Sequence, residues 1–129
     1  MSIHVEIVTP KAIAFDGECD MAVAPGLMGE FGVMERHAQT LAVTDSGLVS
    51  LSSGSDKTNF VVGPGFAEVG PDRITLLVDH CEPAGTVGAS EAKQQLEDAF
   101  AQLKLVDAES EEGLEARKAA GLAQARLRS

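Results

Sequence analysis

Three histidines, two cysteines and twenty acidic side chains are the raw material for chemistry in this 129-residue chain. Imidazole is a common ligand for zinc and iron, and a metal enzyme of the small barrel kind gathers histidine and glutamate at short spacing. His4, His37 and His80 are dispersed instead, with no His-x-His and no His-Glu-x-x-His, so no metal is expected. Cys19 and Cys81 lack Cys-x-x-Cys spacing and read as two buried, reduced thiols. Ser52, Ser53 and Ser55 crowd a polar tip with no base in sight, and the adjacent acids Glu97-Asp98 and Glu111-Glu112 point apart on a helix. No Gly-Lys-Ser/Thr phosphate loop exists, because Gly63-Pro64-Gly65-Phe66 leads into another strand rather than a helix. No catalytic, metal or nucleotide site is expected, and no cofactor.

The elements that would position any site are mostly strands. From Ile3 to Val78 the pattern is short, alternating and broken by turns. Ile3, Val5 and Ile7 share a face against His4 and Glu6. A brief run from Ala12 to Phe15 then meets Asp16-Gly17, a turn dipeptide, and Cys19, Met21 and Val23 alternate with Asp20, Ala22 and Ala24. Asp45-Ser46-Gly47, the tip 52–57, Gly63-Pro64-Gly65 and Gly70-Pro71-Asp72 punctuate the rest. About eight to ten antiparallel strands with no helix between them predict an all-β sandwich or flattened barrel. Composition shifts at Glu82. Residues 1–83 are expected to form the sandwich, 84–89 a linker and 90–129 a helical hairpin, with Ser90 as N-cap before Glu91.

In the first helix Ala92, Leu96, Ala99, Phe100 and Leu103 form one stripe. A second helix is expected over 111–128, burying Ala116, Ala119, Ala120, Ala123 and Leu127, with Leu114 and Leu122 on the opposite side near Arg117 and Lys118. Gly113 and Gly121 weaken it by about 1 kcal/mol each relative to alanine. Helices of about 15 residues are marginal without packing, so a docked hairpin is expected whose second helix can detach or extend.

Net charge of −10 argues against nucleic acid, whose phosphates need clustered Lys and Arg. No apolar run approaches the roughly 20 residues that span a bilayer, and Met1-Ser2-Ile3-His4 does not read as an export signal. Direct membrane insertion is not expected.

The stretch 23–37 has the chemistry of a contact edge. Pro25 and Gly26 end a strand, and Gly29 and Gly32 loosen the backbone. Glu30, Arg36 and His37 stand beside Leu27, Met28, Phe31 and Met34. With Val5-Glu6-Ile7-Val8-Thr9-Pro10 before it, His37-Ala38 and Gly47 after it, and then 63–69 followed by Ile74-Thr75-Leu76-Leu77, the ordered set resembles the ε subunit of the F-type ATP synthase, whose mitochondrial counterpart is called δ.

The resemblance implies a ten-stranded sandwich and a non-catalytic central-stalk rotor subunit. Its partners would be the γ shaft and the membrane c-ring, met through the edge Leu27, Met28, Glu30, Phe31, Met34, Arg36 and His37. It also implies a helical tail that restrains ATP hydrolysis by reaching the α/β catalytic subunits, for which Leu114, Arg117, Lys118, Leu122, Arg126 and Arg128 are the candidates. The setting implied is peripheral, on the cytoplasmic face of a bacterial inner membrane. Glu35-Arg36 stands where a Pro-Gly pair usually precedes the histidine, and Gln39-Thr40 where Pro and Leu commonly follow. Some relatives bind ATP on the tail through Ile/Leu-Asp-x-x-Arg-Ala; here the segment is Leu96-Glu97-Asp98-Ala99-Phe100-Ala101, with Phe100 in place of the arginine. Two other readings stand beside this one: a free-standing acidic β-sandwich adaptor using the same edge, and a small cupin-like metal enzyme. Recovery of γ in a pull-down separates the rotor subunit from the adaptor, and absence of bound metal removes the enzyme.

Overall fold

The computed structural model describes residues 2–128; Met1 and Ser129, the outer ends of the expected segments, lie outside the described residues. Ten strands precede two helices: β1 Ile3–Val8, β2 Ile13–Cys19, β3 Met21–Gly26, β4 Gly29–Met34, β5 Thr40–Thr44, β6 Gly47–Ser53, β7 Asp56–Val62, β8 Gly65–Val69, β9 Arg73–Val78 and β10 Cys81–Pro83, then α1 Ala89–Leu105 and α2 Glu111–Arg128. Two five-stranded layers form, β10-β7-β6-β3-β4 and β5-β8-β9-β1-β2, joined through the single pair Gly26 and Thr44. Inward residues of both layers make one core, among them Ile3, Val5 and Ile7 of β1, Val49 and Leu51 of β6 and Ile74, Leu76 and Val78 of β9. Each such side chain stabilises the fold by about 1.5–3 kcal/mol on burial. Phe15 and Phe60 meet across the layers with ring centroids 5.4 Å apart.

Four sequence expectations change. The strands are not all antiparallel, because β1 inserts between β9 and β2 and runs parallel to β9. Asp16-Gly17 makes no turn but lies within β2; a Cβ on Gly17 would sit 3.0 Å from the Phe15 ring, so glycine clears space for that ring inside the core. Asp20 breaks the strand, which resets the alternation: Ala22 and Ala24 face the core, and Met21 and Val23 do not. Ser90 does not cap α1, since the cap falls two residues earlier, at Gly88, with no side-chain cap bond, and the helix begins at Ala89.

α2 lies across β6 and β7. Leu122 and Ala125 cover Val61, with Leu48 packed alongside. Ser110 caps this helix, its Oγ accepting from the Gly113 amide at 3.1 Å. The two helical glycines have reasons beyond flexibility. A Cβ on Gly121 would lie 2.8 Å from Cβ of Ser46, and one on Gly113 would collide with the backbone of Asp107 and Ala108, so both mark close approach.

Candidate docking surfaces

The expected contact edge is the β3–β4 hairpin. Leu27 and Met28 form its two-residue tip, with Met28 fully exposed, and Gly29 after them takes φ 125°, a conformation L side chains rarely adopt. The tip is tied to the body, because the Leu27 amide donates to Val43 O at 3.0 Å and the Asp45 amide to Pro25 O at 2.8 Å. Among the described residues β4 pairs only with β3, which leaves its other edge open. Glu30 and Met34 project outward along it, four residues or about 13 Å apart. The candidates therefore form a strip, not a point.

Phe31 departs from that strip: it is half-buried and packs against the core, because the strand's alternation turns it inward with Val33. Past β4 the chain turns at Arg36, whose φ of 67° places an L residue in the left-handed region that favours glycine. The Arg36 amide donates to Pro71 O at 2.5 Å, and His37 Nδ1 donates to Ala38 O at 2.7 Å, which leaves Nε2 as the acceptor when the ring is neutral.

Of the tail candidates, three are committed to the sandwich. Leu122 does not lie on an open face, as expected, but is 8% exposed against Val61, because the helix presents that side to the sheet. Lys118 pairs with Asp79 at 2.6 Å. Arg126 binds Glu82 of β10 and donates from Nη1 to Gln95 of α1 at 2.8 Å. That guanidinium, more than the His80 ring 2.7 Å away, holds the Glu82 carboxyl below its usual range against the opposing effect of burial. Leu114, Arg117 and Arg128 remain exposed. Expected stripe residues also part company, for Phe100, Ala119 and Leu127 are exposed. Phe100, Leu103, Leu114, Arg117 and Lys118 share a cleft of about 550 Å³ with Leu27, so the hairpin tip adjoins the tail.

No reaction centre assembles among the described residues. The histidines stay apart, with His4 Nε2 2.6 Å from Asp16 Oδ1 and His80 beside Glu82. Burial pushes the Cys19 thiol up and that of Cys81 up to about 11, Glu82 adding to the latter, so both are poor nucleophiles at neutral pH. The open groove between the helices, about 700 Å³, is lined by Asp98, Glu111, Glu112 and Glu115, which repel a polyphosphate.

Sequence reasoning missed one surface. The outer face of β6 and β7 lies under α2, yet the outer face of the other layer is bare and carries an apolar row. Val43 pairs with Phe66, Phe66 with Leu77, Leu77 with Val8 and Val8 with Ile13, across five strands. Phe66 is 51% exposed, Ile13 58%, and Leu41 beside the row 72%. Apolar residues on both faces of these strands were the available signal, since a strand wetted on one face shows polar residues there.

A ten-stranded sandwich with a bare apolar face, a tied hairpin edge and a folded-back helical pair defines a docking module. The profile described as ATP synthase, Delta/Epsilon chain, beta-sandwich domain matches residues 2–84. The chain is 31% identical to the ATP synthase epsilon chain of Synechococcus sp. (strain RCC307), over all of this chain and 97% of that one. It is 38% identical to the epsilon chain of Caulobacter vibrioides over 95% of that protein and 64% of this one. A chain in the Euglena gracilis mitochondrial ATP synthase shares the fold at TM-score 0.83 and 18% identity, covering 98% of this chain and 79% of that chain. The protein belongs to the ATP synthase delta/epsilon chain family.

Proposed function

We propose that this subunit is a non-catalytic coupler which seats the γ shaft on its bare apolar face and the c-ring on its hairpin edge. The row from Val43 to Ile13 carries the reading. One outer face of the sandwich is already covered by α2, and on the other the exposed Val43, Phe66, Leu77 and Ile13, joined through the half-buried Val8, form a contiguous apolar patch that water disfavours. Glu68, Thr75, Glu6 and Asp16 form the next row on the same face and supply a polar rim. A partner that must carry torque fits such a face, because dense apolar contact between paired strands resists shear.

The edge Leu27, Met28, Glu30, Met34, Arg36 and His37 suits the smaller, mixed contact with polar ring loops. The subunit would lie peripherally on the cytoplasmic face of a bacterial inner membrane, where no helix among the described residues is long and apolar enough to cross. Restraint of hydrolysis belongs to the tail: Leu114, Arg117 and Arg128 are presented by the docked hairpin, whereas Leu122, Lys118 and Arg126 reach α/β subunits only after it detaches. The test is co-purification with γ. The unaltered chain should retain γ, and Phe66→Glu with Leu77→Glu should lose it while keeping the strand circular dichroism; retention of γ by that variant overturns the assignment.

A further inference from the structure

Two carboxylates of the polar rim, Glu6 and Asp16 on the strand pair β1–β2, stand beside an imidazole. His4, Glu6 and Asp16 each offer one ligand atom on the outer face of that pair, and the three atoms lie within 4.8 Å of one another. His4 and Glu6 are two apart on β1 and so project the same way, and Asp16 stands directly opposite Glu6 across the antiparallel ladder. Like charges directly opposite on a strand pair are unfavourable, and here the imidazole is drawn in, with Nε2 2.6 Å from Asp16 Oδ1. Glu18, opposite His4, adds a further carboxylate beside the cluster, while Arg73 on β9 is the cation opposite His4 on the other side.

We propose that this cluster is a binding site for a borderline divalent cation, Zn²⁺ in the first instance. One imidazole nitrogen and two carboxylate oxygens make the donor set of a three-ligand zinc site, with water completing the tetrahedron. The set is too small for calcium, which takes six to eight oxygens, and it lacks the thiolate that selects copper(I). The ligands sit on hydrogen-bonded strands, so little backbone ordering opposes binding; the 2.6 Å contact of His4 Nε2 with Asp16 opens as that nitrogen gives up its proton, and the three atoms settle about 3.3 Å apart around the ion. A bound ion would link β1 to β2, the terminal strand of its layer, which pairs with β1 alone. Its role is a staple on that edge, beside the rim of the apolar face, and it requires no chemistry at the metal.

The test is calorimetric titration of the full chain with zinc chloride, together with NMR of the histidine ring nitrogens. The site requires saturable one-to-one binding, a shift at His4 Nε2 without shifts at His37 or His80, and a raised unfolding midpoint. His4→Ala should weaken binding at least about tenfold, since even outer-shell losses cost that much, and Glu6→Gln and Asp16→Asn should each weaken it with circular dichroism unchanged. Absence of saturation overturns the site. So does binding that survives His4→Ala, that ignores both carboxylate variants, or that reports at His80 beside Glu82. Should His4→Ala fail to fold, the two carboxylate variants and the ring-nitrogen shifts decide alone.

Discussion

Arg126 near the end of α2 grips Glu82 of β10, its Nε 3.2 Å from both carboxylate oxygens and its Nη2 2.6 Å from Oε1. Both side chains are largely buried, and the same guanidinium reaches Gln95 of α1, so one residue ties both helices to the last strand of the sandwich. Breaking a buried pair by removing one partner is costly because it strands the other charge. Arg126→Gln should therefore free the tail, at about 1–3 kcal/mol given the partial exposure. Hydrogen exchange is the check: amides of 111–128 should lose protection while the strands keep theirs.

The same pair makes tail docking acid-sensitive. The folded-state pKa of Glu82 lies below its unfolded value, chiefly through Arg126. Its contribution is thus fully present above the usual carboxylate pKa of about 4.3 and is lost as pH falls through the depressed folded value. Tail protection should drop in acid ahead of the sandwich, and Glu82→Gln should abolish that early step while lowering protection at neutral pH.

Gly121 separates intrinsic helicity from docking. Alanine there should raise the helicity of an isolated α2 peptide, by about 1 kcal/mol. In the full chain its Cβ would meet Ser46 at 2.8 Å and push the helix off the sheet. Gly121→Ala should consequently make the tail exchange faster, and adding Ser46→Gly should restore it.

Arg36 holds φ 67° without glycine's freedom. Left-handed backbone costs an L residue roughly 1–2 kcal/mol. Arg36→Gly relieves that, less the extra entropy of the unfolded chain, so thermal denaturation should show stability unchanged or raised by up to about 1 kcal/mol. If ring docking uses the Arg36 charge, the same variant should weaken ring association.

Cys81, with its thiol at about 11, should react with iodoacetamide at pH 8 more than about tenfold slower than free cysteine. Because Cys81 packs against the sandwich core while its neighbour Glu82 faces α2, detaching the tail with Arg126→Gln should leave that rate unchanged.

The strand grammar was legible wherever a strand has one wet face: Ile3, Val5 and Ile7 point inward as their spacing requires, and the bounds of α2 follow from its acids early and bases late. Local pattern failed where tertiary contact decides. Gly17 looked like a turn until the Phe15 ring occupied its empty side, and Gly121 looked like a weakness until Ser46 came within reach. Leu122 was placed on the open side because alanines outnumber it, yet the larger side chain wins the sheet contact. Within the expected contact edge, Phe31 packs against the core because strand alternation turns it inward. The apolar row was illegible because its members come from five strands and meet only through their register.

The central claim concerns that row. Hydroxyl-radical footprinting of the subunit, free and bound to γ, reads side-chain cover directly. Phe66, Leu77 and Ile13 should be strongly protected by γ, with Met28 at the hairpin tip still oxidised until the ring is added. Phe66 and Leu77 oxidised equally in the free and γ-bound states would contradict the account.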